Sequence, residues 1–270
     1  MSYLDQVFSL DDRLVVLTGA GGALAGSLAE AFLKAGARVA LWVHREEAKQ
    51  ALQQKYLAFT SPDKFLVSVA DTSDSHQVQK AFTETRQALG LPNVLVNAAG
   101  GNQGKSAFVD IDLEQFDRVL KLNLMAGLVV PTQVFTKVWT EEGQRGCSIL
   151  NLASMGSYVP LSGVWAYNAA KAAVLNLTTA LAKEFGPAGI RVNALAPGFF
   201  VGQQNRSLLF QEDGTLSPRG QNIIHRTPFG RFGALEECQG AALFLSSEKA
   251  AGFITGITLP VDGGFLADNI

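Results

Sequence analysis

Tyr167 and Lys171 stand four residues apart, so on a helix their side chains share one face. A phenol with an ordinary pKa near 10 stays protonated at neutral pH, and an ammonium beside it favours the phenolate by charge attraction. A phenol tuned in this way can give a proton to a carbonyl oxygen, or take one from an alcohol, while hydride moves at the carbon. Ser154 precedes Tyr167 just past an apolar run, where its hydroxyl could hold the same oxygen in place. Taken alone, a Tyr-x-x-x-Lys pair is equally the face of an amphipathic helix, so its meaning depends on its surroundings.

A hydride needs a carrier, and the sequence offers a place for one. Thr18-Gly19-Ala20-Gly21-Gly22 follows a short apolar run and leads into a helical pattern opening at Leu24. Glycines there let the chain turn tightly, so that Gly19, Gly21, Gly22 and Leu24 can turn backbone N–H groups and the helix dipole towards a pyrophosphate. Such a turn alone is also an ordinary strand-to-helix connection. The second apolar run ends in Trp42-Val43-His44-Arg45, without the carboxylate that would bind the ribose 2′-hydroxyl of NAD. His44 and Arg45 favour the 2′-phosphate of NADP instead, with NAD the alternative and a solvated helix-start Arg45 the competing reading. Asp71, beyond the third run, is placed to contact adenine or to cap the next helix.

These residues need a scaffold, and the apolar patterning supplies one. Compact runs at 14–17, 38–43, 65–69, 94–96, 148–152 and 191–195 read as buried strands. Helical patterns separate them: 24–35, 46–56, a segment from Val78 to Leu89, and long stretches over 113–140 and 165–185. Apolar strands alternating with helices imply an α/β single domain over 1–270, a doubly wound parallel sheet of the Rossmann type. Its ligand crevice lies beyond the carboxyl ends of the strands. The irregular stretch 199–233 follows a strand end and is expected to cover the substrate.

Composition narrows the function. The 270 residues are 47% hydrophobic and 17% charged, with a formal net charge of −2, which offers no electrostatic footprint for nucleic acid. No signal-peptide pattern or bilayer-length apolar stretch is read, so a cytoplasmic location and no membrane are expected. Cys147 and Cys238 lack metal-ligand spacing and read as buried apolar residues; no metal is expected.

The order of these motifs resembles the short-chain dehydrogenase/reductase family over about 14–264. The matches are Thr18-Gly19, Asn97-Ala98-Ala99-Gly100, Asn123, Ser154, Tyr167, Lys171, Pro197-Gly198 and Val261-Asp262-Gly263-Gly264. The resemblance implies an NAD(P)-dependent oxidoreductase in which Lys171 also holds the nicotinamide ribose and Asn123 keeps a proton-relaying water. Asn97 would stabilise the central sheet, with Ala98 and Gly100 beside the cofactor and Pro197, Gly198 and Phe199 bordering the nicotinamide. It also implies a homotetramer with the segment around Ile257–Val261 near an interface. Two departures stand out: the family's later turn glycines fall on Ala23 and Ala25, and its Thr or Ser after Pro-Gly falls on Gly202.

Further stretches, 100–102, 198–200, 204–206 and 227–233, are similar to the sugar-acid branch of that family, the D-mannonate oxidoreductases (fructuronate reductases). That implies keto–alcohol interconversion on fructuronate/mannonate. Asn102, Gln103, Gln204 and Arg206, with Ser154, are the candidate substrate contacts, and Lys105 reads as an ordinary surface lysine. A 3-oxoacyl thioester reductase, a general polyol/ketone reductase and a non-enzymatic nucleotide-sensing scaffold are the alternatives.

Overall fold

A computed structural model describes residues 2–202 and 205–268. In chain order the elements are α1 (Tyr3–Phe8), β1 (Leu14–Thr18), α2 (Ala23–Lys34), β2 (Arg38–Val43), α3 (Glu46–Leu57), β3 (Phe65–Val69), α4 (Ser75–Leu89) and β4 (Val94–Asn97). There follow α5 (Leu113–Leu120), a π-helical stretch Lys121–Val129, α6 (Val130–Glu141), β5 (Cys147–Leu152), α7 (Trp165–Phe185) and β6 (Ile190–Pro197). Four short helices and a strand complete the chain: α8 (Arg206–Leu209), α9 (Pro218–His225), α10 (Gln239–Ser246), α11 (Glu248–Ala251) and β7 (Thr258–Val261).

The seven strands pair in parallel in the order β3-β2-β1-β4-β5-β6-β7. Order reverses between β1 and β4, which opens a crevice at their carboxyl ends, where such sheets bind ligands. Every residue of β1 is buried, because helices cover both faces and leave no solvent side for alternation. One apolar layer holds Leu28, Phe32, Leu41, Tyr56, Leu150 and Leu195; the other holds Trp42, Phe82, Phe135, Trp139 and Ile149. Phe135 sits edge-on to both Phe82 and Trp139, an arrangement aromatic quadrupoles favour.

The helical run over 113–141 differs from the sequence expectation in two ways. It is long and apolar enough to cross a membrane by length and composition, although 61% of its apolar 18-residue window is buried inside the protein. It is also not uniformly α-helical, since Lys121–Val129 adopts π geometry. A Cβ on Gly127 would stand 2.5 Å from the Ala99 carbonyl, so this turn packs backbone against backbone on the loop after β4.

Candidate active site

The crevice begins with a lock between two strand ends. Thr18 Oγ1 accepts hydrogen bonds from the Ala98 and Ala99 N–H groups at 3.1 and 3.2 Å. Gly19 follows in the left-handed region at φ +64°, and a Cβ there would lie 2.6 Å from Ala99 Cα. The Gly22 N–H bonds the Gly19 carbonyl at 3.0 Å, closing the turn, and Gly22 caps α2 without a side chain. The first-turn N–H groups of α2 therefore have no side-chain acceptor, as an anion site at a helix N-terminus requires. Ala23 and Ala25 lie inside α2, so the turn needs no glycine at either place. Gly202 is poised beside them: a Cβ there would come 3.2 Å from the Ala23 Cβ. Its N–H is already taken by Asn205 Oδ1 at 2.8 Å.

His44 and Arg45 are exposed at the end of β2. Arg45 is the N-cap of α3 in extended backbone, and no hydrogen bond or ion pair among the described residues engages its guanidinium. Asp71 turns on itself. Its Oδ1 accepts from the Ser73 N–H and hydroxyl at 2.9 and 2.8 Å, while Asp74 is the residue that caps α4. Partial burial opposes ionisation of Asp71, yet the Ser73 hydrogen bonds, with His44 and Lys121 nearby, hold its carboxyl below the usual range. An uncapped helix N-terminus and an unpaired cation at the next strand end together fit a dinucleotide.

The reacting groups converge from β4, β5, the π-helical turn and α7. Lys171 is 6% exposed; its ammonium donates to the Leu152 carbonyl at 2.6 Å and lies 5.8 Å from the centre of the Tyr167 ring. A Cβ on Gly100 would stand 3.5 Å from Lys171 Nζ and 2.8 Å from Asn123 Oδ1, so these three residues share one corner. Asn123 donates to the Gly101 and Val119 carbonyls at 2.6 and 2.9 Å and accepts from the Gly101 N–H at 3.0 Å. Both of its donors are thus spent on backbone, and only the second lone pair of Oδ1 remains for a water. The π geometry directs Asn123 and Gly127 onto the loop after β4; such bulges recur at functional sites.

Burial drives the Lys171 amine down to about 8, since a cation loses its hydration there. The Tyr167 phenol is pushed up from its ordinary value by burial, and the hydrogen bond with Ser154 works against that rise. The Ser154 hydrogen bond is the contact that favours the ionised phenol, and the Lys171 ammonium lies 5.8 Å from the ring centre. Ser154 Oγ accepts from the Gly156 N–H at 3.2 Å, which leaves its own proton to donate.

Beneath the site, Asn97 Nδ2 donates to Thr132 Oγ1 at 3.0 Å and to Asn151 Oδ1 at 2.9 Å. Asn151 passes a hydrogen bond to Thr178 on α7 at 2.9 Å. Asn97 and Asn151 face each other in the β4–β5 register, so the network ties the central strands to the catalytic helix. Asn97 Oδ1 is buried without a partner.

The candidate substrate residues divide. Asn102 and Gln103 line a small cavity with Lys105 and the Gly163–Ala166 segment, and Ser154, Tyr167 and Lys171 are not part of its lining. Lys105 lies along Gly163, whose Cβ would meet the lysine stem at 2.6 Å and whose φ is +77°. Arg206 does not join them. Its guanidinium stacks 4.9 Å over the Phe210 ring, in a cavity lined by residues 206–217 that contains none of the catalytic set. Gln204 lies outside the described residues. Pro197 ends β6, and a Cβ on Gly198 would stand 2.7 Å from Asp262 Cα, which fits the C-terminal Val-Asp-Gly-Gly turn tightly against the strand. Phe199 packs on Phe265. The 199–233 stretch is pinned at its base by a Phe200–Gly233 bridge and holds α8 and α9, so it is less irregular than its sequence reads.

The sheet order, the glycine turn and the Ser154–Tyr167–Lys171 corner define a nicotinamide-dependent oxidoreductase, and the chain belongs to the short-chain dehydrogenase/reductase family. Residues 19–266 match the family model described as Enoyl-(Acyl carrier protein) reductase. An uncharacterized oxidoreductase of Haemophilus influenzae is 36% identical over 96% of this chain and 95% of its own. A crystal structure of a provisionally named D-mannonate oxidoreductase from the same organism, with bound NAD, superposes with a TM-score of 0.88 at 35% identity, covering 97% of each chain. A gluconate 5-dehydrogenase from Burkholderia cenocepacia, in complex with NADP and tartrate, gives 0.88 at 29% identity over 98% of this chain and 99% of that one.

Proposed function

We propose that this enzyme interconverts a keto group and a secondary alcohol on a sugar acid of the fructuronate/mannonate kind, with NADP(H) favoured over NAD(H). The bound cofactor supplies or removes hydride at the carbon. It would rest on Gly19, Gly21, Gly22 and Leu24, with His44, Arg45 and Asp71 towards its adenosine and Asn97, Ala98, Gly100 and Pro197 to Phe199 towards the nicotinamide. Ser154 donates to the substrate oxygen, and Tyr167 gives that oxygen a proton in reduction or takes one in oxidation. Lys171 supports Tyr167 and the ribose, while Asn123 holds Gly101 and, through its remaining lone pair, a relay water.

The observation that carries the oxidoreductase chemistry is the convergence of Ser154, Tyr167 and Lys171 at one corner of the crevice. Support for an acidic substrate comes from the sugar-acid relatives and from the charge around the site. Arg226 faces Asp268 and Arg231 forks onto Glu237, whereas Lys105 has no carboxylate partner among the described residues and shares a cavity with Asn102 and Gln103. Lys105, with Asn102 and Gln103, is thus the cation best placed for a carboxylate. A thioester substrate is the second reading, and the description of the matching family model names an enoyl thioester. A panel of hexonates and ketohexonates, assayed with NADH and NADPH beside acetoacetyl and crotonyl thioesters, separates the two; a large preference for either thioester overturns the sugar-acid reading.

The enzyme is further proposed to be cytoplasmic and homotetrameric, with 199–233 covering the substrate. An apolar groove of 250 Å³ between the π-helical turn, α6 and α7, lined by Leu128, Val129, Leu177, Leu181 and Phe185, supports assembly, as does the 40% exposure of Ile257 before β7.

A further inference from the structure

The Ser154 hydroxyl sits on the loop between β5 and α7, which several contacts tie down, the Tyr158 hydroxyl on the Thr258 carbonyl among them. At its far end Asn168, next to Tyr167, donates to the Leu161 carbonyl at 2.8 Å and accepts from the Leu161 N–H at 3.2 Å. At its near end the Ser157 hydroxyl donates to the Lys171 carbonyl at 2.7 Å and accepts from the Ser154 N–H at 3.3 Å. One side chain therefore joins the backbone of the serine to the backbone of the lysine. A Cβ on Gly156 would meet Asn168 Oδ1 at 2.9 Å and the Tyr167 ring at 3.6 Å, so the loop lies directly against the phenol.

We propose that Ser157 is a positioning residue, whose bridge from the Ser154 N–H to the Lys171 carbonyl holds the Ser154 loop against α7, the helix that carries Tyr167. This rests on the acid–base roles proposed for Tyr167 and Ser154. No other side chain among the hydrogen bonds of the described residues holds the Ser154 backbone. Removing the hydroxyl frees the Ser154 N–H and lets the loop drift from α7 at that end, while Asn168 keeps the rest of it seated. A hydrogen bond is steeply sensitive to such drift in distance and angle, so the contact that favours ionised Tyr167 weakens first.

The test is the ionisation of Tyr167 itself, which needs no substrate. Each protein and its Tyr167→Phe counterpart are jumped to a series of alkaline pH values, and tyrosinate absorbance is read before global unfolding; their difference isolates this phenol. In Ser157→Ala the midpoint is expected to rise by about one pH unit, and Ser157→Thr, which keeps the hydroxyl, to restore most of the shift. Should Ser157→Ala fail to fold, Ser157→Cys, a weaker donor of similar shape, is expected to show a smaller rise. A midpoint unmoved in Ser157→Ala or Ser157→Cys, or moved as far in Ser157→Thr, overturns the proposal.

Discussion

Gly19→Ala and Gly21→Ala should behave in opposite ways, although both lie in one turn. At Gly19 the added methyl would stand 2.6 Å from Ala99 Cα, 2.8 Å from Ala99 N and 2.9 Å from the Ala98 carbonyl, on a backbone at φ +64°. None of those atoms is a flexible side-chain end, so the β1 and β4 loops must move apart. The left-handed backbone costs an alanine about 1–2 kcal/mol, and the crowding adds about 1–3 kcal/mol. Together that is a loss of about 2–5 kcal/mol, or about 5–15 °C in Tm for a chain of this size. Separation of the loops also breaks the Thr18 bonds to Ala98 and Ala99, so cofactor binding should weaken along with stability. At Gly21 a Cβ would meet nothing within 4 Å, and a residue with no backbone penalty stabilises the fold by about 0.4–1 kcal/mol. Any loss of cofactor affinity in Gly21→Ala then reports close approach of a ligand to that backbone. Differential scanning fluorimetry and NADPH titration by fluorescence read both variants. A Gly19→Ala protein that melts with the wild type would refute the argument from the loop lock.

Two further perturbations test the charges. Lys171 ionises near 8 in the folded chain against 10.5 when free, so the folded state binds fewer of its protons. Stability from this group is complete above 10.5 and is lost as pH falls through about 8; relative to Lys171→Met, the wild type should gain up to about 3 kcal/mol as pH rises across that window. Urea unfolding at pH 7, 9 and 10.5 measures the difference, and a constant gap would mean that the amine is not desolvated. Arg45→Ala should weaken NADP by about 10- to 100-fold, the worth of a charge-assisted bond, and leave NAD nearly unchanged. Equal losses in calorimetric titrations with the two cofactors would remove the phosphate role.

The elements were legible wherever burial on both sheet faces left an unbroken apolar run, and Trp165–Phe185 has the bounds its pattern implies. The crevice followed from alternation alone, and Ser154, Tyr167 and Lys171 drew notice only when set beside the glycine turn and the strand order. What escaped depends on partners distant in sequence. Nothing local signals that Asn123 and Gly127 bend a helix into π geometry against Ala99, or that Ser157 finds the Lys171 carbonyl. Thr18 was visible as part of a motif, but its task of joining β1 to the loop after β4 was not. Arg206 was misjudged because a cation near a strand end suggests a substrate, while Phe210, one helical turn away, already occupies it. The sign of the Tyr167 shift also turned on burial, which the spacing of Tyr and Lys does not encode.

Tyr167→Phe tests the central claim most directly, because it deletes one oxygen and leaves the ring that packs beside Lys171. Turnover of the panel substrate that the wild type uses fastest should fall by about 10²- to 10⁴-fold, with NADPH affinity held within about threefold. Turnover at the wild-type rate would contradict the account, since no proton shuttle would then depend on this phenol.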